Sequence, residues 1–267
     1  MKRLGISNYL TVESLYCKGS ILFGSNEWEQ SLSCLELALF TFKELGSGNF
    51  HEANALYMIG CTLEKLGRYD EATQYMKEAL DLHRKKDDQN IDLGRVLRRL
   101  GVLYKSNREH AQSRLYLKES LHISVTSLGQ NHNEVAQVYE YIAETFCRES
   151  RYDEGIYNIG KAINIHERQI PSLDLARCYG FKGLITDQAG HDLSTTIDCY
   201  EKSNEIYSSL LHSTVHEPGM ENHNMTSASI VFKLAVAEER NGKHESAVKH
   251  YTREYELSNK NFHSFYV

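Results

Sequence analysis

Two prolines in 267 residues, Pro171 and Pro218, are too few to interrupt a mostly helical chain. Both fall between the stretches whose apolar spacing predicts helices. No apolar run approaches the ~20 residues that span a bilayer, so no membrane partner is expected. The opening residues, MKRLGISNYLTVESLYCKGS, carry charge but lack an apolar core followed by a small-residue cleavage site, so they do not read as a signal peptide. The six cysteines (Cys17, Cys34, Cys61, Cys147, Cys178, Cys199) are scattered, with no C-x-x-C pair. They read as free thiols in a reducing compartment, and a cytoplasmic location is expected. A basic excess is missing as well: the net charge of -6 argues against general nucleic-acid binding.

The signatures of catalysis are also lacking. No glycine-rich loop precedes Lys-Ser/Thr, and no nucleophile elbow occurs. The carboxylate pairs Glu238-Glu239 and Asp87-Asp88 read as ordinary exposed charge. Thirteen histidines raise the question of a metal. His212 and His216 stand at helical i, i+4 spacing with Glu217, Glu221 and His223 close behind, but an H-E-x-x-H pattern is absent and the stretch runs into Pro218-Gly219. It reads as a solvated loop. His83, His110, His122, His132, His166, His191, His244 and His250 fall at turns, linkers or outer faces and read as surface residues. The expectation is a protein with no enzymatic activity, no cofactor and no metal.

What is present is a repeat. In ALYMIGCTLEKLGRYDEATQYMKEALDL, residues 55–82, Gly67 interrupts an otherwise helix-favouring run at a cost of about 1 kcal/mol relative to Ala. Leu56, Ile59, Gly60 and Leu63 keep helical spacing before it, and Tyr69, Ala72, Met76 and Ala79 after it. That predicts two amphipathic helices with Gly67 at the corner between them. Aligned on the small residue of the first helix, the same unit recurs at Gly19, Gly60, Gly101, Ala143, Gly183 and Ala235, in steps of 41, 41, 42, 40 and 52 residues. A second small residue opens each return helix: Ser31, Ala72, Ser113, Gly155, Thr196 and Ala247. A third lies near its end at Ala38, Ala79, Ser120, Ala162 and Ser203, where the last unit has Glu254 instead. Paired helices approach closely only where side chains are small, while Leu56, Ile59, Leu97, Leu100, Ile142 and Leu234 fill the rest of the seam.

The second unit, with Leu56, Ile59-Gly60, Leu63, Ala72, Met76, Ala79 and the turn GRYDEA, resembles the tetratricopeptide repeat. A pitch of about 41 residues is similar to the long-helix subtype of kinesin light chains. So is SLGQNHNEVAQVYEYIA, in which Gly129, His132 and Ala136 match that subtype's linker and Asn133 stands where it has proline. The resemblance implies an all-α fold, a right-handed α-solenoid of about six helical hairpins. Residues 1–267 then form a single array with repeats near 7–46, 50–88, 90–129, 132–170, 172–211 and 224–262 and an irregular insertion at 212–223. One extra residue in GHDLSTT is expected to loosen the fifth turn, and Phe262, Phe265 and Tyr266 leave an apolar C-terminal face.

Such a fold implies binding rather than chemistry, with first helices lining a concave groove. The side of each first helix away from the seam carries Tyr16, then Asn54 and Tyr57, then Arg95, Arg98 and Arg99. In the later units it carries Glu140 and Tyr141, Arg177 and Phe181, and Phe232, with Arg148 near the end of the fourth. Aromatic side chains anchor peptides, and arginines hold carboxylates, so a protein or peptide partner with acidic character is expected. The family's chaperone-binding carboxylate clamp is absent, because its positions carry Tyr57, Cys61 and Arg95. The Asn pair by which kinesin light chains hold peptide backbone is replaced by Tyr57-Met58, Arg98-Arg99 and Glu140-Tyr141. The leading reading is an interaction scaffold. The alternatives are the sensor region of a larger signalling protein and a self-associating structural scaffold.

Overall fold

The computed structural model describes residues 2–45, 49–85, 90–213 and 221–264. Among them, twelve α-helices follow one another and no strand occurs. They are α1 (Lys2–Gly24), α2 (Trp28–Leu45), α3 (Asn49–Lys65), α4 (Tyr69–Lys85), α5 (Ile91–Ser106), α6 (His110–Leu128), α7 (Asn133–Arg148), α8 (Tyr152–His166), α9 (Leu173–Gln188), α10 (Leu193–Ser213), α11 (Glu221–Arg240) and α12 (His244–Ser264). Each odd-numbered helix packs against the even-numbered one that follows, giving six hairpins. The chain divides into two compact units, residues 1–130 and 131–267, each built of three hairpins.

The corners are made the same way six times. Asn26, Gly67, Arg108, Ser150, Gly190 and Gly242 adopt left-handed backbone, with φ between 58° and 78°. The next residue's N–H then reaches back five residues to a helix carbonyl, as Arg68 does to Leu63 at 2.9 Å and Arg151 to Phe146 at 3.0 Å. This is the Schellman closure of a helix C-terminus. Gly67 is there because its φ of 75° costs a residue without Cβ nothing in sterics. The extra residue of GHDLSTT does not loosen the fifth turn: His191 N–H still reaches Thr186 O at 3.1 Å. The spare residue is absorbed beyond the corner, where the Asp192 carbonyl accepts from Thr196 N–H at 3.3 Å to open α10. At the other end of the first helices, the side chains of Asn90, His132 and Ser172 cap α5, α7 and α9 by accepting backbone N–H bonds.

Small residues lie where the seam needs them. A Cβ added at Gly19, Gly60, Gly101 or Gly183 would fall 2.5–2.8 Å from Leu35, Met76, Leu117 or Tyr200 of the return helix. Two of the facing serines use the closeness: Ser31 Oγ donates to the Gly19 carbonyl at 2.8 Å and Ser113 Oγ to that of Gly101 at 2.7 Å. Leu56, Ile59, Leu97, Leu100, Ile142 and Leu234 are buried as expected. The six cysteines are free thiols. No helix among the described residues is long and apolar enough to cross a membrane.

Two expectations about polar residues fail. His83 and His166 are buried, not on outer faces. Glu238 is 1 % exposed rather than surface charge, accepting from Ser246 Oγ at 2.6 Å and lying 2.6 Å from His250 Nδ1. Residues 214–220 and the side chains of His212, Glu221, His223 and Phe262 lie outside the described residues, as do Asp87, Asp88, Phe265 and Tyr266. The 212–223 histidine pattern, the Pro218-Gly219 loop and the C-terminal aromatic face therefore fall there.

Candidate functional site

Within each unit, hairpins meet their successors at a recurring set of three positions. These are the residue three before the small residue of a first helix, the residue four after the last small residue of its return helix, and the residue five before the small residue of the next first helix. In residues 1–130 the sets are Tyr16, Phe42, Ala55 and Tyr57, His83, Val96. In residues 131–267 they are Glu140, His166, Cys178 and Gly180, Tyr207, Ile230. In the last set a Cβ on Gly180 would fall 2.5 Å from Ile230 Cδ1, and Tyr207 and Ile230 share one apolar cluster. A first helix thus packs on more than its own return helix, and residues expected to line an open groove sit partly in these junctions.

In the N-terminal unit the expected residues do come together. Tyr16 and Asn54 line one cleft of ≈ 220 Å³ with Glu13, Cys17, Phe42 and His51, the last two stacked with ring centroids 5.3 Å apart. Tyr57 is an electrostatic neighbour of Arg98 and Arg99, and burial raises its hydroxyl pKa above the ordinary value. Arg99 is committed to helix packing: its Nη1 lies 3.5 Å from Glu64 Oε2 of α3. Arg95 Nη1 donates to Asp92 Oδ1 at 3.1 Å and keeps 41 % of its side chain exposed. α1, α3 and α5 therefore present one face, aromatic and polar at the cleft and cationic beside Arg95 and Arg98, with Asp92 offsetting part of the Arg95 charge.

The C-terminal unit departs further from the expectation. Glu140 is not on an open surface but buried, with Oε2 2.6 Å from Arg177 Nη1 and Oε1 3.5 Å from His166 Nε2. Arg177 also donates to Asp174 Oδ1 at 2.8 Å. Cys178 stands beside them, its thiol pushed well above the ordinary range by burial and then by the Glu140 charge. Tyr141 and Phe181 are half-buried, and Arg148 is exposed in the last turn of α7. Phe232 is half exposed and packs edge-on against Tyr251 of its own hairpin, with centroids 5.9 Å apart.

Family models of the tetratricopeptide repeat match residues 10–85 and 93–134. Over those residues the chain carries tetratricopeptide repeats. No curated protein matches the sequence. Among solved structures, BtubC (BKLC) from P. vanneervenii is similar at a TM-score of 0.71 and 17 % identity, over 81 % of this chain and 88 % of that one. A kinesin light chain-like protein of Podosopora anserina with nearly identical TPR-like repeats gives 0.64 at 10 % identity, over 75 % and 96 %. A Rap protein complexed with Competence and Sporulation Factor gives 0.63 at 12 % identity, over 93 % and 75 %. At these identities the likeness is one of fold, an all-α repeat fold of the solenoid class that kinesin light chain-like repeats share. The matched tetratricopeptide repeats are protein–protein interaction repeats rather than catalytic ones.

Sequence reasoning missed His166 and Cys178. The column holding His166 reads Phe42, His83, Ser124, His166 and Tyr207 in the first five repeats, all buried. Comparing that column, rather than judging each histidine by its polarity, is the signal that places His83 and His166 inside.

Proposed function

We propose that this protein is an interaction scaffold whose N-terminal unit takes a peptide or partner segment bearing carboxylates across the face of α1, α3 and α5. The observation that carries the reading is the convergence of Tyr16 and Asn54 at one cleft, with Tyr57, Arg95 and Arg98 farther along the same face. An aromatic or aliphatic side chain of the partner enters the cleft, and the guanidinium groups set its register through charge-assisted hydrogen bonds. Arg99 supports the wall through Glu64 instead of reaching outward. The Rap relative crystallised with Competence and Sporulation Factor shares this fold over most of the chain and supports a ligand-binding reading. Six free thiols support a reducing compartment such as the cytoplasm.

The test is retention of partners by the purified chain, peptide mapping of what is retained, and titration calorimetry with the mapped segment. Arg95→Glu with Arg98→Glu should leave helicity intact and weaken binding roughly thirtyfold or more, because attraction becomes repulsion. Wild-type binding should weaken as salt rises. Equal affinities for both proteins would remove this face from the reading.

A further inference from the structure

We propose that Glu140, His166 and Cys178 form a binding site for one borderline divalent metal ion, of which zinc(II) is the representative. Three helices deliver the set: α7 brings the carboxylate, α8 the imidazole and α9 the thiol. Their ligand atoms lie within 4.8 Å of one another, and all three residues are at most 4 % exposed. One sulfur, one nitrogen and one oxygen are the donor types that zinc takes, and a mixed soft and hard set disfavours magnesium and calcium.

The finer geometry agrees. Four-coordinate zinc, with bonds of about 2.0–2.3 Å, sets its ligand atoms about 3.3–3.8 Å apart. His166 Nε2 and Glu140 Oε1, at 3.5 Å, already stand at that separation, which is the long limit for a hydrogen bond. Glu140 divides its labour: Oε2 is held by Arg177 at 2.6 Å, leaving Oε1 turned to the histidine. A ligating carboxylate whose second oxygen is fixed by a hydrogen-bond donor is the usual outer arrangement of a metal centre. Charge closes as well. With the Cys178 proton released to water on binding, zinc, thiolate, Glu140, Arg177 and Asp174 sum to a neutral group. Arg177, with 47 % of its side chain in solvent, marks the side from which an ion enters, and its bond to Asp174 gives it a second anchor when it yields.

The site is local to one junction. At the equivalent positions the other junctions within the two units carry Tyr16, Phe42, Ala55, or Tyr57, His83, Val96, or Gly180, Tyr207, Ile230, none of them a complete ligand set. Those residues also supply substitutions that the fold already accepts elsewhere: Cys178→Val and His166→Phe.

The experiment uses the whole chain, stripped with a chelator and kept reduced, titrated with zinc(II) and in parallel with cobalt(II). One ion per chain is expected, with a near-ultraviolet thiolate-to-cobalt charge-transfer band. The band should vanish in Cys178→Val and in Cys178→Ser. Zinc affinity should fall at least about tenfold in His166→Phe and in Glu140→Gln. Circular dichroism on each variant selects those that fold. Absence of stoichiometric binding, or a charge-transfer band that persists in either folded Cys178 variant, would overturn the site.

Discussion

The junction of Tyr57, His83 and Val96 and the junction of Glu140, His166 and Cys178 occupy the same positions of two repeats. Even their flanking ion pairs correspond, Arg95 with Asp92 at 3.1 Å and Arg177 with Asp174 at 2.8 Å. At these positions one repeat carries a phenol, an imidazole and an isopropyl group. The other joins a carboxylate, an imidazole and a thiol, with the arginine drawn in to neutralise the carboxylate. The backbone that seats them is common to both, since small residues and left-handed corners set it without reference to these side chains. Two side-chain exchanges therefore separate an ordinary set from a polar centre. The scaffold is shared, and the chemistry is specific to one junction.

The sharpest break of this comparison is steric. The junction after Gly180 is filled by Tyr207 and Ile230, so the tyrosine tolerated at positions 16 and 57 has no room there. Gly180→Tyr should overpack the site and cost about 3 kcal/mol or more, read as a lower denaturant midpoint. An unchanged midpoint would show that Gly180 does not face α11.

Next in size is the electrostatic difference. Arg177→Met leaves Glu140 buried without its guanidinium, whereas Arg95→Met leaves only a partly exposed Asp92. Removing one partner of a buried pair is costly, and solvent at Arg177 discounts that cost to about 2 kcal/mol. The loss at Arg95 should stay below about 1 kcal/mol. Adding Glu140→Gln to Arg177→Met should recover most of the stability lost at Arg177, a coupling that a double-mutant cycle measures. Equal losses at Arg177 and Arg95 would mean that the two junctions do not differ in charge burial.

How much of this was legible follows from the same residues. The hairpins could be read because Gly19, Gly60, Gly101 and Gly183 answer a steric demand with few solutions, and a register of small residues survives in any chain that packs this way. Not every side chain assigned to the groove lies on an open face, for a geometrical reason. The assignment treats each first helix as two-sided, with a seam and an open face. In the array that helix also meets the next hairpin, so Glu140 is covered, Tyr57 is partly covered, and Arg99 reaches Glu64. Asn54, Arg95 and Arg98, farther from that contact, keep part of their surface. His166 and Cys178 were illegible one at a time, because a lone polar side chain has no address until its column is compared across repeats.

At the smallest scale the comparison can be sharpened at the corners themselves. Three of the six left-handed positions are glycine (67, 190, 242) and three are Asn26, Arg108 and Ser150. The hydrogen bonds that close the turns are alike in all six, so any difference in stability comes from the Cβ and not from the closure. An L-residue in left-handed backbone costs about 1–2 kcal/mol, and asparagine less, because its short polar side chain tolerates the conformation. Glycine removes that strain but adds freedom to the unfolded chain, which returns part of the gain. Ser150→Gly and Arg108→Gly should therefore stabilise by about 0.5–1 kcal/mol, and Asn26→Gly by less. Gly67→Ala should destabilise by about 1 kcal/mol. Matched chemical-denaturation curves for the four variants read the ordering directly. A destabilising Ser150→Gly would mean that its corner, unlike the one at Gly67, is held by its side chain rather than by its backbone.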